Sequence, residues 1–419
     1  MSERVANGIR SSARPMDGPS AMGVPTFDDV VGASDVMIVC GAGGVGKTTT
    51  AAAIALGIAE RRSARVLVLT IDPAKRLADA LGLRSVGNQA SSVDLRSTAK
   101  GHLSVAMLDT SASWDDLVRA NAPDTVTAAK ILANPLYRNI TQRFVQSHDY
   151  IAMERLYELR VQGDYDVIVI DTPPSRHALD FLDAPARMAD FFTSALLKWI
   201  TLPYRIGGER GGRLGYLAAK PFYQIADRIL GSDFLRDIAE FFLLFQSMYD
   251  GFVERAEAVA SLLHESTTTF VVVSTLEPSP LYEAEFFLNE LERRKMKVGV
   301  MLLNRTLPPV FTDAAAVDAA RHLASENTTV EVPSVPPPPV GTELRRVRRA
   351  VGATFLRFAS LAASQAAQER RLARQPDVVL RVPLMDAPIG DVEALSRLGS
   401  HLWSPGAGEQ VPVPARKRP

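Results

Sequence analysis

The sequence predicts an α/β fold: a mostly parallel, doubly wound sheet with a helical insertion subdomain. Three observations carry this reading. Short runs of uninterrupted apolar residues recur along the chain, helical stretches separate them, and a glycine-rich loop follows the first run directly. Strands that are apolar throughout, rather than alternating, belong to parallel sheets covered on both faces.

The first strand is expected at 36–40, and the alanine-rich stretch 48–61 reads as a helix. A second strand, 66–71, ends at Asp72-Pro73, and later strands are expected at 103–108, 166–170, 270–274, 298–303 and 378–382. Helical stretches are expected at 114–161 and 186–264; the second is far longer than an ordinary crossover and reads as an inserted helical subdomain. Within it, 204–215 is too glycine-rich for regular structure and reads as a flexible loop. The proline run 332–340 reads as a stiff connector before an Arg- and Ala-rich helix over about 342–374. The expected organisation is a disordered tail at 1–34, one folded domain at 35–403 and a second disordered tail at 404–419.

Of 419 residues, 47% are apolar, enough for a large core, and 47 basic residues balance 47 acidic ones. That balance gives no bulk attraction to nucleic acid or anionic membranes. Cys40 is the single cysteine, so no internal disulfide and no clustered thiolate site can form. No apolar run reaches the ~18 residues of a membrane span, and the first 20 residues lack the apolar core of a secretory signal. A soluble, cytoplasmic protein with no integral membrane segment is expected.

Gly41-Ala42-Gly43-Gly44-Val45-Gly46-Lys47-Thr48 fits G-x-x-x-x-G-K-[ST], with a strand before it and a helix after it. Glycines let backbone N–H groups turn inward around a phosphate, and the following helix adds its positive end. Val45 and Thr49 belong to the same nucleotide-contacting stretch. Lys47 can reach the β- and γ-phosphates of ATP, and the Thr48 hydroxyl can ligate Mg²⁺. Asp171 ends the strand at 166–170, where an acidic residue would orient Mg²⁺ and its waters; Asp72 ends the second strand and faces the same crevice. Either aspartate could instead cap a helix.

At these residues the sequence resembles the arsenite-pump ATPase family, which includes the guided-entry ATPases for tail-anchored membrane proteins. The stretches 41–50, 70–82, 171–185, 298–305 and 382–388 carry the likeness, and it is most similar to actinobacterial members. The resemblance implies that Asp72 positions the attacking water and that Asp171 and Thr172 form a γ-phosphate-sensing switch. It implies that Asn304 hydrogen-bonds adenine and that Pro383 lines the adenine pocket. It also implies a dimer that opens and closes with the nucleotide cycle.

Two departures matter. Family loops commonly carry a lysine at the position of Ala42, and that lysine reaches the phosphates of the other subunit. Its loss predicts slow turnover as a homodimer, substitution by another cation such as Arg176, or a heterodimer with a lysine-bearing relative, the reading favoured here. The clustered cysteines of arsenite pumps and the zinc-clamping C-x-x-C of eukaryotic guided-entry members are both absent, so arsenite transport and a zinc-closed dimer are not expected.

In the insertion, Phe234, Ile238, Phe241, Phe245, Met248 and Phe252 fall on one helix face. That face either packs in the protein's own core or receives a hydrophobic client. Two further readings stand beside an ATPase: a nucleotide-binding regulatory module with little turnover, and a DNA-binding partition ATPase using Arg345-Arg346-Val347-Arg348-Arg349. No nucleic-acid binding is expected from the latter, because such a run is more often a solvated helix face.

Overall fold

The computed structural model describes residues 25–71, 76–83, 87–95, 97–135, 137, 145–173, 182–184, 187, 190, 241, 243, 248–325, 342–372, 376 and 378–404. Asp72, Arg176, the glycine-rich loop 204–215, the connector 332–340 and most of the insertion lie outside the described residues.

Eight strands form one sheet in the order β3-β4-β2-β5-β1-β6-β7-β8. They are β1 (Val36–Gly41), β2 (Arg65–Thr70), β3 (Ser91–Ser92), β4 (His102–Met107), β5 (Val167–Asp171), β6 (Thr268–Thr275), β7 (Val298–Thr306) and β8 (Val378–Pro383). Every pairing is parallel except β3 with β4. From β1 the chain places β5, β2 and β4 on one side and β6, β7 and β8 on the other. The carboxyl end of β1 therefore lies at the switch point where open α/β sheets bind ligands.

Each sheet face has its own apolar core. One is closed by α4 (Thr110–Asn121), α5 (Thr125–Ala133), α6 (Val145–Gln162), α7 (Tyr249–His264) and α8 (Pro278–Arg293). Phe241 and Met248, expected on the apolar face of the insertion, are buried in this core. The other is closed by α1 (Phe27–Gly32), α2 (Lys47–Arg61), α3 (Arg76–Ala80) and α11 (Val392–Trp403). Residues 51–59 of α2 are buried all round, which explains their small side chains: a Cβ on Gly57 would lie 2.4 Å from the Trp403 ring, and one on Gly399 3.3 Å from Ala53 O. Trp403 also meets Phe27 edge-on at 4.8 Å, lies under the Arg61 guanidinium, and donates its Nε1–H to Asp28 at 3.0 Å.

Regular structure begins before the expected boundary at residue 35. The helix α1 is closed by a capping box between Thr26 and Asp29, and Phe27, Val30 and Val31 are buried. Apolar burial and the cap outweigh the polar composition of that stretch. The helical stretch expected at 114–161 is divided into α4, α5 and α6. Asp109 and Asp124 cap the first two, and Pro123 stands in the break. Outside both cores, a 3₁₀ turn (Pro309–Thr312) leads into α9 (Ala314–Ala324), which packs against the long α10 (Thr342–Arg371).

Candidate nucleotide site

The strand β1 is buried throughout and delivers Gly41 to the switch point. Gly41 has φ +153°, and a Cβ there would lie 2.1 Å from Val273 O of β6, so only glycine lets the chain leave the sheet at this place. Gly44 and Gly46 follow with φ +79° and +99°, conformations that a side chain strains. Gly43 and Gly44 are exposed, whereas Val45 anchors the loop in the α2-side core. Ala42 packs into that same core.

The helix α2 begins at Lys47 with Gly46 as its N-cap and no side-chain cap. Asp109, Asp124, Asp313 and Asp391 accept from backbone N–H groups at the starts of α4, α5, α9 and α11. The first N–H groups of α2 are thus left to an outside acceptor, with the helix's positive end behind them.

Lys47 is buried at 8% exposure and its Nζ donates to Ala42 O at 2.9 Å, so the ammonium is folded over its own loop. Asp171, fully buried at the end of β5, lies between β1 and β2, in register with Val39 and Thr70. Its Oδ2 accepts from Thr48 Oγ1 at 2.6 Å and from Thr70 Oγ1 at 3.1 Å. The next residue, Thr172, donates its hydroxyl to Val39 O at 2.9 Å. Thr49 is half-buried on the first turn of α2.

Among the described residues no group of three or more His, Cys, Asp or Glu could hold a metal by itself. The facing hydroxyl of Thr48 and carboxylate of Asp171 nevertheless fit Mg²⁺. That ion prefers hard oxygen donors and takes only one or two protein ligands beside phosphate oxygens and water. Cys40 offers no alternative: its Sγ–H points to Val271 O at 3.5 Å, and burial pushes the thiol well above its ordinary range, so it stays protonated.

Asn304 sits near the end of β7 and works on the loop itself. Its Nδ2 donates to Val45 O at 2.7 Å, and its Oδ1 accepts from Arg305 N at 2.9 Å. A Cβ on Gly46 would stand 2.5 Å from that Nδ2. Both ends of the carboxamide expected to meet adenine are therefore engaged within the chain. Thr275, paired with Asn304 across β6 and β7, is buried, and its hydroxyl has no hydrogen-bond partner among the described residues. Pro383 ends β8 in register with Thr306, whose hydroxyl donates to Val382 O at 3.1 Å.

The structure thus gathers the loop, Lys47, Thr48, Asp171 and Asn304 at one sheet edge. Sequence reasoning missed Thr70 and Thr275, because a threonine at a strand end carries no motif. Strand-end position was the one signal that could have found them.

Residues 34–207 match the model of a family described as anion-transporting ATPase. Over 274 residues the chain is 28% identical to the ATPase get3 of Aspergillus terreus, covering 65% of this chain and 73% of that protein. The ATPase GET3 of Paracoccidioides lutzii is 28% identical over 277 residues, with the same coverage, and that of Paracoccidioides brasiliensis matches equally.

Proposed function

We propose that this chain is an ATP hydrolase of the arsenite-pump and GET3 type, the likeness that the match over 34–207 and the 28% identity to GET3 ATPases support, that hydrolysis occurs at the 41–48 loop with Mg²⁺, and that it drives opening and closing of a dimer. The observation that carries the proposal is the Thr48–Asp171 contact beside an uncapped α2 N-terminus.

In this reading the N–H groups of 43–48 hold the β- and γ-phosphates, and Lys47 exchanges Ala42 O for a phosphate oxygen. Mg²⁺ bound at Thr48 and Asp171 supplies neutralisation of the charge that builds on the phosphate oxygens. Asp72 orients the attacking water, and loss of the γ-phosphate releases Thr172 and its segment. Asn304 and Pro383 receive adenine once Asn304 lets go of the loop.

The buried Ala42 favours a particular assembly. A residue whose methyl group fills the α2-side core offers no cation to another subunit's phosphates. A lysine-bearing relative as heterodimer partner, contributing the missing charge, fits that site better than a homodimer acting alone. A hydrophobic protein client on the helical insertion and a cytoplasmic location complete the reading.

The test is Mg²⁺-dependent ATP turnover by the purified chain alongside Asp72→Asn, with ATP binding followed in parallel. Turnover lost in Asp72→Asn with binding retained is expected. Tight binding with no wild-type turnover would instead identify a regulatory nucleotide module, or a subunit that needs its partner's cation.

A further inference from the structure

We propose that Thr275 is a positioning residue for the adenine site: its hydroxyl takes over Val45 O and holds the Asn304 carboxamide once that side chain turns from the loop to the base. The inference rests on the reading above that Asn304 receives adenine.

The other strand-end hydroxyls of this sheet edge are engaged. Thr70 donates to Asp171 Oδ2 at 3.1 Å, Thr172 to Val39 O at 2.9 Å, Ser274 to Thr275 O at 3.0 Å and Thr306 to Val382 O at 3.1 Å. Thr275 is only 4% exposed, and its Oγ1 has no hydrogen-bond partner among the described residues. A hydroxyl buried in this way costs free energy, and native structures satisfy nearly all such groups, so a second arrangement in which it is bonded is the natural account.

The fold puts that hydroxyl beside the groups it would serve. Val271 and Val273 of β6 and Val300 and Leu302 of β7 belong to the α2-side core, whereas Val272, Met301 and Leu303 belong to the opposite one. The same alternation places Thr275 and Asn304 on the α2 side, in register on neighbouring strands about 4.8 Å apart. Val45 lies over this end of β6, because a Cβ on Gly41 would meet both Val273 O, at 2.1 Å, and Val45 Cγ2, at 3.3 Å.

Donors and acceptors then balance. A carboxamide has two N–H donors and an oxygen with two acceptor positions; a hydroxyl donates once and accepts twice. In the present arrangement Asn304 Nδ2 donates to Val45 O and Oδ1 accepts from Arg305 N. With adenine bound, one Nδ2–H goes to a ring nitrogen of the base and the other to Thr275 Oγ1. Asn304 Oδ1 keeps Arg305 N and accepts from the 6-amino group, while the Thr275 proton goes to Val45 O. Without the Thr275 hydroxyl the same move would leave Val45 O and one Nδ2–H unpaired. Guanine presents the O6 acceptor where adenine presents its 6-amino donor, so it faces Asn304 Oδ1 with a second acceptor and does not draw Asn304 off the loop. Thr275 therefore counts toward ATP and not toward GTP.

The experiment is equilibrium titration of the full chain with the non-hydrolysable imidotriphosphates of adenosine and guanosine. It compares wild type, Thr275→Val, Thr275→Ser, Asn304→Ala and the double variant Thr275→Val, Asn304→Ala, with thermal midpoints of the nucleotide-free proteins. Thr275→Val is expected to bind the adenosine analogue about tenfold more weakly and the guanosine analogue within about twofold of wild type. Its midpoint is not lowered, because the substitution keeps the shape and removes an unbonded hydroxyl. Thr275→Ser keeps the hydroxyl and retains adenosine-analogue affinity. In the Asn304→Ala background, Thr275→Val is expected to cost less than about twofold.

Asn304→Ala weakening the adenosine analogue while Thr275→Val leaves it unchanged would overturn the role of Thr275 and leave the adenine reading standing. Asn304→Ala binding that analogue as wild type does would overturn the adenine reading, and the role of Thr275 with it. Equal losses for both analogues, or an undiminished loss in the Asn304→Ala background, would overturn the route through Asn304.

Discussion

Gly46 is held at φ +99° with Asn304 pressed against the place of its missing side chain. Gly46→Ala should cost about 1–3 kcal/mol in urea unfolding, from backbone strain, and should weaken ATP binding by distorting the loop whose N–H groups would hold the phosphates. Asn304→Ala removes the carboxamide proposed to receive adenine and should weaken ATP binding by roughly tenfold, a loss of about 1.4 kcal/mol that equilibrium titration would read. Cys40 supplies a prediction in pH. Burial raises its folded pKa, so the protonated thiol contributes stability that is fully present below the unfolded pKa, near 8.5, and is lost as pH rises above it. Unfolding midpoints should fall above about pH 8.5, with a slope of up to ~1.4 kcal/mol per pH unit from this group, and Cys40→Ala should flatten that part of the profile. At this scale the sequence displayed the phosphate loop and the strand-end position of Asp171. It could not display that Asn304 grips Val45, or that Thr70 shares the Asp171 carboxylate, because those contacts join residues distant in the chain and depend on strand register.

The helices α4, α6 and α7 are tied by a buried polar group. Glu154, at 6% exposure, accepts from Tyr150 Oη at 3.0 Å and pairs with Arg255 Nε at 2.5 Å, while Arg255 also donates to Asn121. Desolvation holds the Glu154 carboxyl above its ordinary range despite the guanidinium. Arg255→Ala would strand that carboxyl in the interior and should cost about 3–5 kcal/mol, read as a lowered thermal midpoint. The strands were legible because a sheet covered on both faces needs continuous apolar runs, and each expected strand lies within a residue or two of the observed one except at the end of β7, which runs three residues further, to Thr306. The two-residue β3 had no such run. The six-residue α1 was hidden by the polar composition around it, although its Thr26-to-Asp29 box and Phe27 were present in the sequence. The break between α4 and α5 was written in Pro123 and Asp124, and a long helical period masked it.

For the whole molecule, topology explains why the site is where it is. Strand order places β1 between β5 and β6, so the loop, Asp171 and the ends of β6 and β7 meet at one edge without any long side chain having to reach. The family likeness was legible in stretches spread across the chain, and the departure at Ala42 was legible as a missing charge. That Ala42 is a core residue emerged only once the loop was folded.

The central claim is that Thr48 and Asp171 hold Mg²⁺ for ATP hydrolysis. The most direct measurement is Mg²⁺-dependent ATP turnover by wild type and by Asp171→Asn, whose side chain keeps the shape and loses the charge. The account predicts that Asp171→Asn, folded as wild type by circular dichroism, loses turnover by at least ~100-fold and needs far more Mg²⁺. Turnover by Asp171→Asn at the wild-type rate and Mg²⁺ requirement would contradict it.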